Sequence, residues 1–262
     1  MINSSASMAP AAENLEPSSK PVLQLALQPL MDVKGTVPKV FAYEALLRIG
    51  TPWSGRELET YISARESDGS IAGVDMWVAT EACRLLSLFP DMKISINASQ
   101  ISISTPEYID HLVGTASAQK CAARLLVEVT ETAHSPDGAI APGLKLLDDA
   151  CIGVMIDDVF DSFAKRHLIA LPFITGCKIS RRTMVRLMAE EEMTGMYGHI
   201  FGEVKSLVDR CKGIGKAVVM EGIETDGELD MAKKLGIRLC QGYYFSHPKP
   251  GPGCNGSEWS LP

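Results

Sequence analysis

Eight short apolar segments recur along the chain, at 22–30 (VLQLALQPL), 39–47 (KVFAYEALL), 93–99 (KISINAS), 124–131 (RLLVEVTE), 152–158 (IGVMIDD), 173–180 (FITGCKIS), 217–225 (AVVMEGIET) and 238–246 (RLCQGYYFS). Each is rich in β-branched or other apolar residues and bounded by polar or turn residues, which reads as a strand. Between most of them the apolar positions fall at helical spacing, most clearly over 72–89, 105–116, 139–150, 200–214 and 226–235. Strands alternating with helices predict one α/β domain over residues 21–250, between a flexible tail at 1–20 and a C-terminal tail at 251–262. From Lys93 onward the strand segments are nearly continuous apolar runs, the signature of parallel strands covered on their faces by helices.

Eight such units fit a (β/α)8 TIM-like barrel. An open doubly wound sheet is the competing architecture, but no GxGxxG follows a strand and opens a helix. The first two segments are joined only by 31–38 (MDVKGTVP), too short for a crossover helix, so they form an antiparallel hairpin. The expected fold is therefore a barrel with one reversed strand.

Composition narrows the function. The 262 residues include 25 Lys and Arg against 32 Asp and Glu, a net charge of −7, which excludes a basic groove for long nucleic acid. No apolar run spans a bilayer, and the N-terminus lacks the basic start and apolar middle of a signal peptide, so a soluble, cytoplasmic protein is expected. The seven cysteines form no CxxC pair and read as buried free thiols.

Polar residues close the apolar runs: Glu44, Asn97, Glu128 and Glu131, Asp157 and Asp158, Lys178, Glu221 and Glu224, and Gln241. Taken singly, a strand-end acid is usually a helix cap, a lone lysine a surface residue and a lone asparagine a turn residue. In a barrel, however, these positions converge on the face where active sites form. Crowded carboxylates need cations, and Mg²⁺ or Mn²⁺ takes oxygen ligands of this kind. The adjacent Asp157–Asp158 pair suits a two-metal centre. The pattern alone leaves a metal site and a set of ordinary caps both open.

The residues resemble the EAL family, the cyclic-di-GMP phosphodiesterase domain of bacterial signalling in biofilm formation and motility. Glu44-Ala45-Leu46 stands as the eponymous motif, with Arg48 following and Gln28-Pro29 matching the family's QP. INAS resembles VNLS, EVTET resembles EITES, MIDD the start of DDFG, CKIS the KID segment, MEGIET the AEGVET segment and QGYYFSHP the closing QGYLFSRP. The resemblance implies hydrolysis of one phosphodiester of cyclic-di-GMP to linear pGpG, with two Mg²⁺ or Mn²⁺ ions. It implies metal ligation by Glu44, Asn97, Glu128, Asp157, Asp158 and Glu221. Glu44, Lys178 and Glu221 become catalytic, Lys178 beside the attacking water and Glu221 as proton acceptor or ligand only. Gln28, Leu46, Arg48, Asp158, Gln241 and Tyr243 become substrate contacts, Arg48 to a phosphate, and Glu131 supports a loop. A homodimer, no membrane association and a stand-alone domain are expected.

One stretch departs from the family. Where it usually continues Phe-Gly-Thr-Gly after the paired aspartates, this chain reads Val159-Phe160-Asp161-Ser162, and Ser180 replaces the aspartate of KID. Any left-handed conformation the lost glycines served would cost about 1 kcal/mol or more per position. Restoring glycine at Phe160 and Ser162 is expected to raise turnover if loop geometry is limiting; no change would show that the substitutions are compensated elsewhere. Two functional classes follow: an active metal-dependent phosphodiesterase, or a non-hydrolysing module that binds cyclic-di-GMP or a protein partner. An unrelated metal-dependent barrel enzyme is disfavoured by EALLR and QGYYFSHP. Glu44, Glu128, Asp157, Asp158 and Glu221, set against Arg48 and Lys178, put −3 of the chain's −7 at the site. Two divalent cations would turn that to about +1, so anion binding should require metal.

Overall fold

The computed structural model describes residues 22–50, 53–130, 132–160, 163–194 and 198–251, except for the side chains of 163–165 and 194. Eight strands close into a ring: β1 (Leu23–Asp32), β2 (Lys39–Ile49), β3 (Ile94–Ala98), β4 (Leu125–Val129), β5 (Gly153–Ile156), β6 (Gly176–Ile179), β7 (Ala217–Met220) and β8 (Leu239–Gln241). From β2 to β8 each strand pairs in parallel with the next. β1 closes the ring, antiparallel to both β2 and β8. The expected barrel with one reversed strand is thus the observed fold.

The helices α1 (Gly55–Ser67), α2 (Ile71–Leu88), α3 (Gln100–Ile103), α4 (Pro106–Ala118), α5 (Asp137–Asp149), α6 (Arg181–Thr194), α7 (His199–Gly213) and α8 (Asp226–Leu235) lie between the strands in sequence. The five clearest helical segments match α2, α4, α5, α7 and α8 to within two residues at each end. α8 matches at both ends because its signals are local: Thr225 and Glu228 form a reciprocal capping box, and Gly236 at φ 80° terminates the last turn. α1 buries none of its residues, so it left little hydrophobic period to read.

Three strands are shorter than the apolar runs suggested. β6 begins only at Gly176, with 173–175 lying at the opposite, N-terminal end of the strands, while β7 ends at Met220 and β8 at Gln241, the residues after them lying in loops at the C-terminal face. A ninth strand, β9 (Lys249–Pro250), pairs with β1 at Ala26 and Leu27, beyond the reach of the short β8. Two residues are too few to carry a readable period.

The barrel interior is built in two layers, because residues two apart on a strand share a face. Leu30, Ala42, Met155, Val219 and Leu239 pack together as an apolar floor, with Phe41, Leu126 and Ala217 against it. Two residues toward the C-terminal face from each of these five floor positions, and from Leu126 packed against them, stands a polar residue: Gln28 on the reversed β1, then Glu44, Glu128, Asp157, Glu221 and Gln241. The remaining inward strands contribute Asn97, paired across from Glu128, and Lys178. A larger apolar cluster fills the space between the outer face of the barrel and the helices. Of the six described cysteines, all but Cys151 are buried and none is bridged. Among the described residues no helix is long and apolar enough to cross a membrane.

Candidate active site

Lys178 is the centre of the polar layer. Only 1% exposed, its Nζ lies 2.5 Å from Glu221 Oε1, 2.7 Å from Glu128 Oε2 and 3.4 Å from Glu44 Oε2. Glu44 is tied on both oxygens: Asn97 Nδ2 donates to Oε1 at 2.8 Å and Gln241 Nε2 to Oε2 at 2.7 Å. Gln241 Nε2 also reaches Gln28 Oε1 at 3.2 Å, and Gln28 Nε2 donates to the Ser246 carbonyl at 3.1 Å. Side chains from β1, β2, β3, β4, β6 and β8, with Glu221 just past β7, thus form one connected network.

Asp157 and Asp158 enter from the end of β5. Consecutive residues of an extended strand point to opposite faces, so an adjacent pair can share a site only if the chain turns. It turns at Asp158, which adopts the left-handed region at φ 45° and donates its N–H to Asp157 Oδ1 at 3.0 Å. Aspartate tolerates this conformation better than most residues. As a result, ligand oxygens of Asp157, Asp158 and Glu221 all lie within 4.8 Å of one another. A close all-carboxylate group fits a hard divalent cation. Glu44 and Glu128 fall outside that group, engaged instead with Lys178 and the two amides.

Burial works against the charged form of each acid, and the outcome depends on its neighbours. For Glu44, burial is outweighed by Lys178 and by the Asn97 and Gln241 donors, which hold its carboxyl below the usual range. Burial, reinforced by the Glu44 charge, pushes Glu128 up to about 8. Burial, with Asp157 and Glu44 adding to it, raises Glu221 well above its ordinary value although Lys178 opposes. Lys178 is disfavoured by burial but held firmly charged by Glu128, Glu221 and Glu44. The layer carries more carboxylates than one lysine neutralises.

That excess has a measurable consequence. A carboxyl whose folded pKa lies above its unfolded value holds a proton that stabilises the fold. The stabilisation is complete below the unfolded value of about 4.5 and is lost as pH rises through about 8 for Glu128. Cation-free protein should therefore lose several degrees of melting temperature between pH 5 and pH 8, and saturating Mn²⁺ should flatten the decline. Calorimetry across that range checks it; a flat profile without cation would contradict the assignment.

Two clefts flank the cluster. One, of about 250 Å³, is lined by Gln28, Glu44, Glu221, Gln241, Arg181 and Tyr243. Tyr243, 54% exposed, stands at its edge with its ring centroid 4.0 Å from that of His247. The other, of about 190 Å³, includes Leu46, Arg48 and Asn97. Arg48 Nη1 donates to the Leu47 carbonyl at 2.8 Å, with the guanidinium 5.6 Å from the Trp53 ring. Glu131 lies outside the described residues, as do Asp161 and Ser162.

The structure corrects the expectation for Phe160. In this stretch the positive φ falls on Asp158, not on Phe160. Phe160 is 6% exposed within the main apolar cluster, and the Arg166 guanidinium sits 4.6 Å from its ring centroid. The side chain that replaces the family's glycine has become part of the core. Phe160→Gly is therefore expected to destabilise the fold by about 3–5 kcal/mol, measured by urea unfolding, instead of speeding turnover.

Sequence reasoning missed Arg181, which pairs with Glu224 at 2.7 Å and Glu228 at 3.2 Å and donates to the Gly222 carbonyl beside Glu221. It also missed Asp75, a buried acid on α2 that accepts from the Ser99 N–H at 3.0 Å and Ser102 Oγ at 2.6 Å. An acid on the apolar face of a helix was the available signal.

The family described as EAL domain matches this chain over residues 13–248. Among curated proteins, the oxygen sensor protein DosP of Escherichia coli (strain K12) is 27% identical over 237 residues, 87% of this chain and 28% of that protein. The cyclic di-GMP phosphodiesterase NbdA of Pseudomonas aeruginosa is 27% identical over 240 residues, 87% of this chain and 29% of its own length. The chain thus spans about three tenths of the length of these relatives. Among solved structures, the c-di-GMP complex of the PaMucR phosphodiesterase superposes with a TM-score of 0.74 at 25% identity, covering 87% of this chain and 92% of that one. The manganese and cy-diGMP complex of Klebsiella pneumoniae BlrP1 gives 0.72 at 26% identity, covering 92% and 59%.

Proposed function

The chain belongs to the EAL domain family, and on that basis we propose that it hydrolyses cyclic-di-GMP to linear pGpG in a reaction that requires a divalent cation. The observation that carries the reading is the connected polar layer centred on Lys178, with the three close carboxylates Asp157, Asp158 and Glu221 beside it. Asp157, Asp158 and Glu221, with Glu44, Asn97 and Glu128, would hold Mg²⁺ or Mn²⁺. Such ions supply Lewis acidity and lower the pKa of bound water.

The chain's own residues do the rest. Lys178, held by Glu128 and Glu221, keeps a positive charge where negative charge grows on the phosphoryl group. Gln241, braced by Gln28, fixes the orientation of Glu44. Glu221 borders the cleft, where it can take a proton or act as a ligand alone. Arg48 lines the neighbouring cleft, where it would meet a substrate phosphate, and Tyr243 would offer its partly exposed ring to a base.

A module that binds cyclic-di-GMP without cleaving it is the second reading, favoured by the rewritten Val159–Ser162 stretch. Incubation of the purified protein with cyclic-di-GMP and either Mg²⁺ or Mn²⁺, with nucleotides separated by chromatography, decides between them. Cation-dependent appearance of pGpG supports hydrolysis. Binding without product at high protein concentration in both metals overturns it.

A further inference from the structure

α1 has a weak hold on the barrel. It buries none of its residues, and its apolar Leu58 and Ile62 face the 190 Å³ cleft that also contains Arg48 and Asn97. A helix with so little buried surface opens readily unless other contacts restrain it. The restraint is Glu66, in the last turn of α1. Its Oε1 accepts from Ser99 Oγ at 3.0 Å and from Thr132 Oγ1 at 2.6 Å.

Those two hydroxyls belong to the exits of β3 and β4. Ser99 stands two residues after Asn97, gives its N–H to Asp75 and caps α3. Thr132 follows β4 and Glu128. The two exits are already laced together: Gln100 Nε2 donates to the Thr130 carbonyl at 2.9 Å and Gln100 Oε1 accepts from the Ser135 N–H at 3.1 Å. Glu66 is where α1 joins that lacing.

Its position is electrostatically unfavourable in two ways. An acid in the last turn of a helix meets the negative end of the helix dipole. Glu66 also lies close enough to Asp75 to add to the burial that pushes that carboxyl up to about 6. Among the described ion pairs none relieves Glu66; Arg65 beside it turns to Asp68. A carboxylate kept there, with two hydroxyl donors on one oxygen, reads as a designed acceptor and not as a solvated surface acid.

We propose that Glu66 is a positioning residue of the site, fastening α1 over the Arg48 cleft and fixing the strand exits that present Asn97 and Glu128. This rests on the reading of Asn97 and Glu128 as metal ligands. Residues that orient ligands from behind change metal affinity by about 10–100-fold when removed.

Glu66→Ala and Glu66→Gln separate the acceptor oxygen from its charge. Two quantities are measured in the full chain: hydrogen exchange over 55–67 and 97–103, and equilibrium Mn²⁺ affinity. Glu66→Ala should speed exchange in both segments and weaken Mn²⁺ binding about tenfold, whereas Glu66→Gln, which keeps an acceptor oxygen, should stay within about threefold of wild type. Faster exchange in α1 alone, with 97–103 and Mn²⁺ affinity unchanged, would reduce Glu66 to a helix anchor and overturn the proposal. So would a Gln variant as impaired as the Ala variant. Wild type that binds Mn²⁺ without cleaving cyclic-di-GMP would remove the enzymatic reading while leaving both readouts valid. Wild type that binds no Mn²⁺ would remove the metal reading, and exchange over 97–103 would then decide on Glu66 alone.

Discussion

Glu44→Ala should lower cyclic-di-GMP hydrolysis by at least about 10³-fold, equivalent to about 4 kcal/mol of transition-state stabilisation. Glu44 is held on both oxygens by amides and is also faced by Lys178. Those neighbours keep it ionised against burial, so it is a preformed anion whose orientation is set before any substrate arrives. Removing it leaves the Asn97 and Gln241 amides without their acceptor and takes one negative charge from beside Lys178. Glu44→Gln sharpens the test, because it preserves shape and one acceptor oxygen but not charge. If charge is what matters, both variants lose activity alike; if Glu44 only scaffolds the amides, the Gln variant recovers much of it. Chelation of divalent cations should reduce the wild type to the level of the Ala variant. Single-turnover measurement of pGpG decides, and an Ala variant within tenfold of wild type would sink the assignment.

The second large effect is on stability. Lys178→Met should cost about 3–5 kcal/mol in cation-free protein near pH 8, the usual result of removing one partner from a buried ion cluster. Glu44, Glu128 and Glu221 would then lie at the barrel's centre with no positive charge among them. The loss should shrink below pH 5, where raised carboxyls take up protons, and in saturating Mn²⁺, which restores positive charge by another route. For a chain of this size 3–5 kcal/mol corresponds to about 10 °C in melting temperature. Denaturant unfolding at pH 5 and pH 8, with and without Mn²⁺, reads all four corners. A penalty independent of both pH and cation would mean that Lys178 acts through packing alone.

Much of this was legible in the sequence because barrel geometry converts linear spacing into position. An apolar residue followed two positions later by a polar one, repeated at Met155 and Asp157, Val219 and Glu221, and Leu239 and Gln241, is the floor and polar layer written out along the chain. The reversal of β1 followed from a connection too short to hold a helix. What escaped depended on contacts between distant segments. Phe160 looked like a damaged glycine until its ring was found in the core, with the left-handed turn on Asp158 instead. Glu66 and Asp75 belong to no strand-end pattern or motif, and nothing local marks Ser99 as the residue they share. Arg181 was hidden because its partners, Glu224 and Glu228, lie more than forty positions away. β9 pairs with β1 at Ala26 and Leu27, beyond the stretch that β8 covers, and its two residues leave no period to read.

The apolar plug formed by Leu30, Ala42, Met155, Val219 and Leu239 has a bearing on traffic through the molecule. It makes the barrel a cup and not a tube. Whatever small molecule reaches Lys178 has to come from the open face, where the two clefts lie, and leave by the same side. On the proposed reading, a lingering reaction product would exclude the next substrate by simple occupancy.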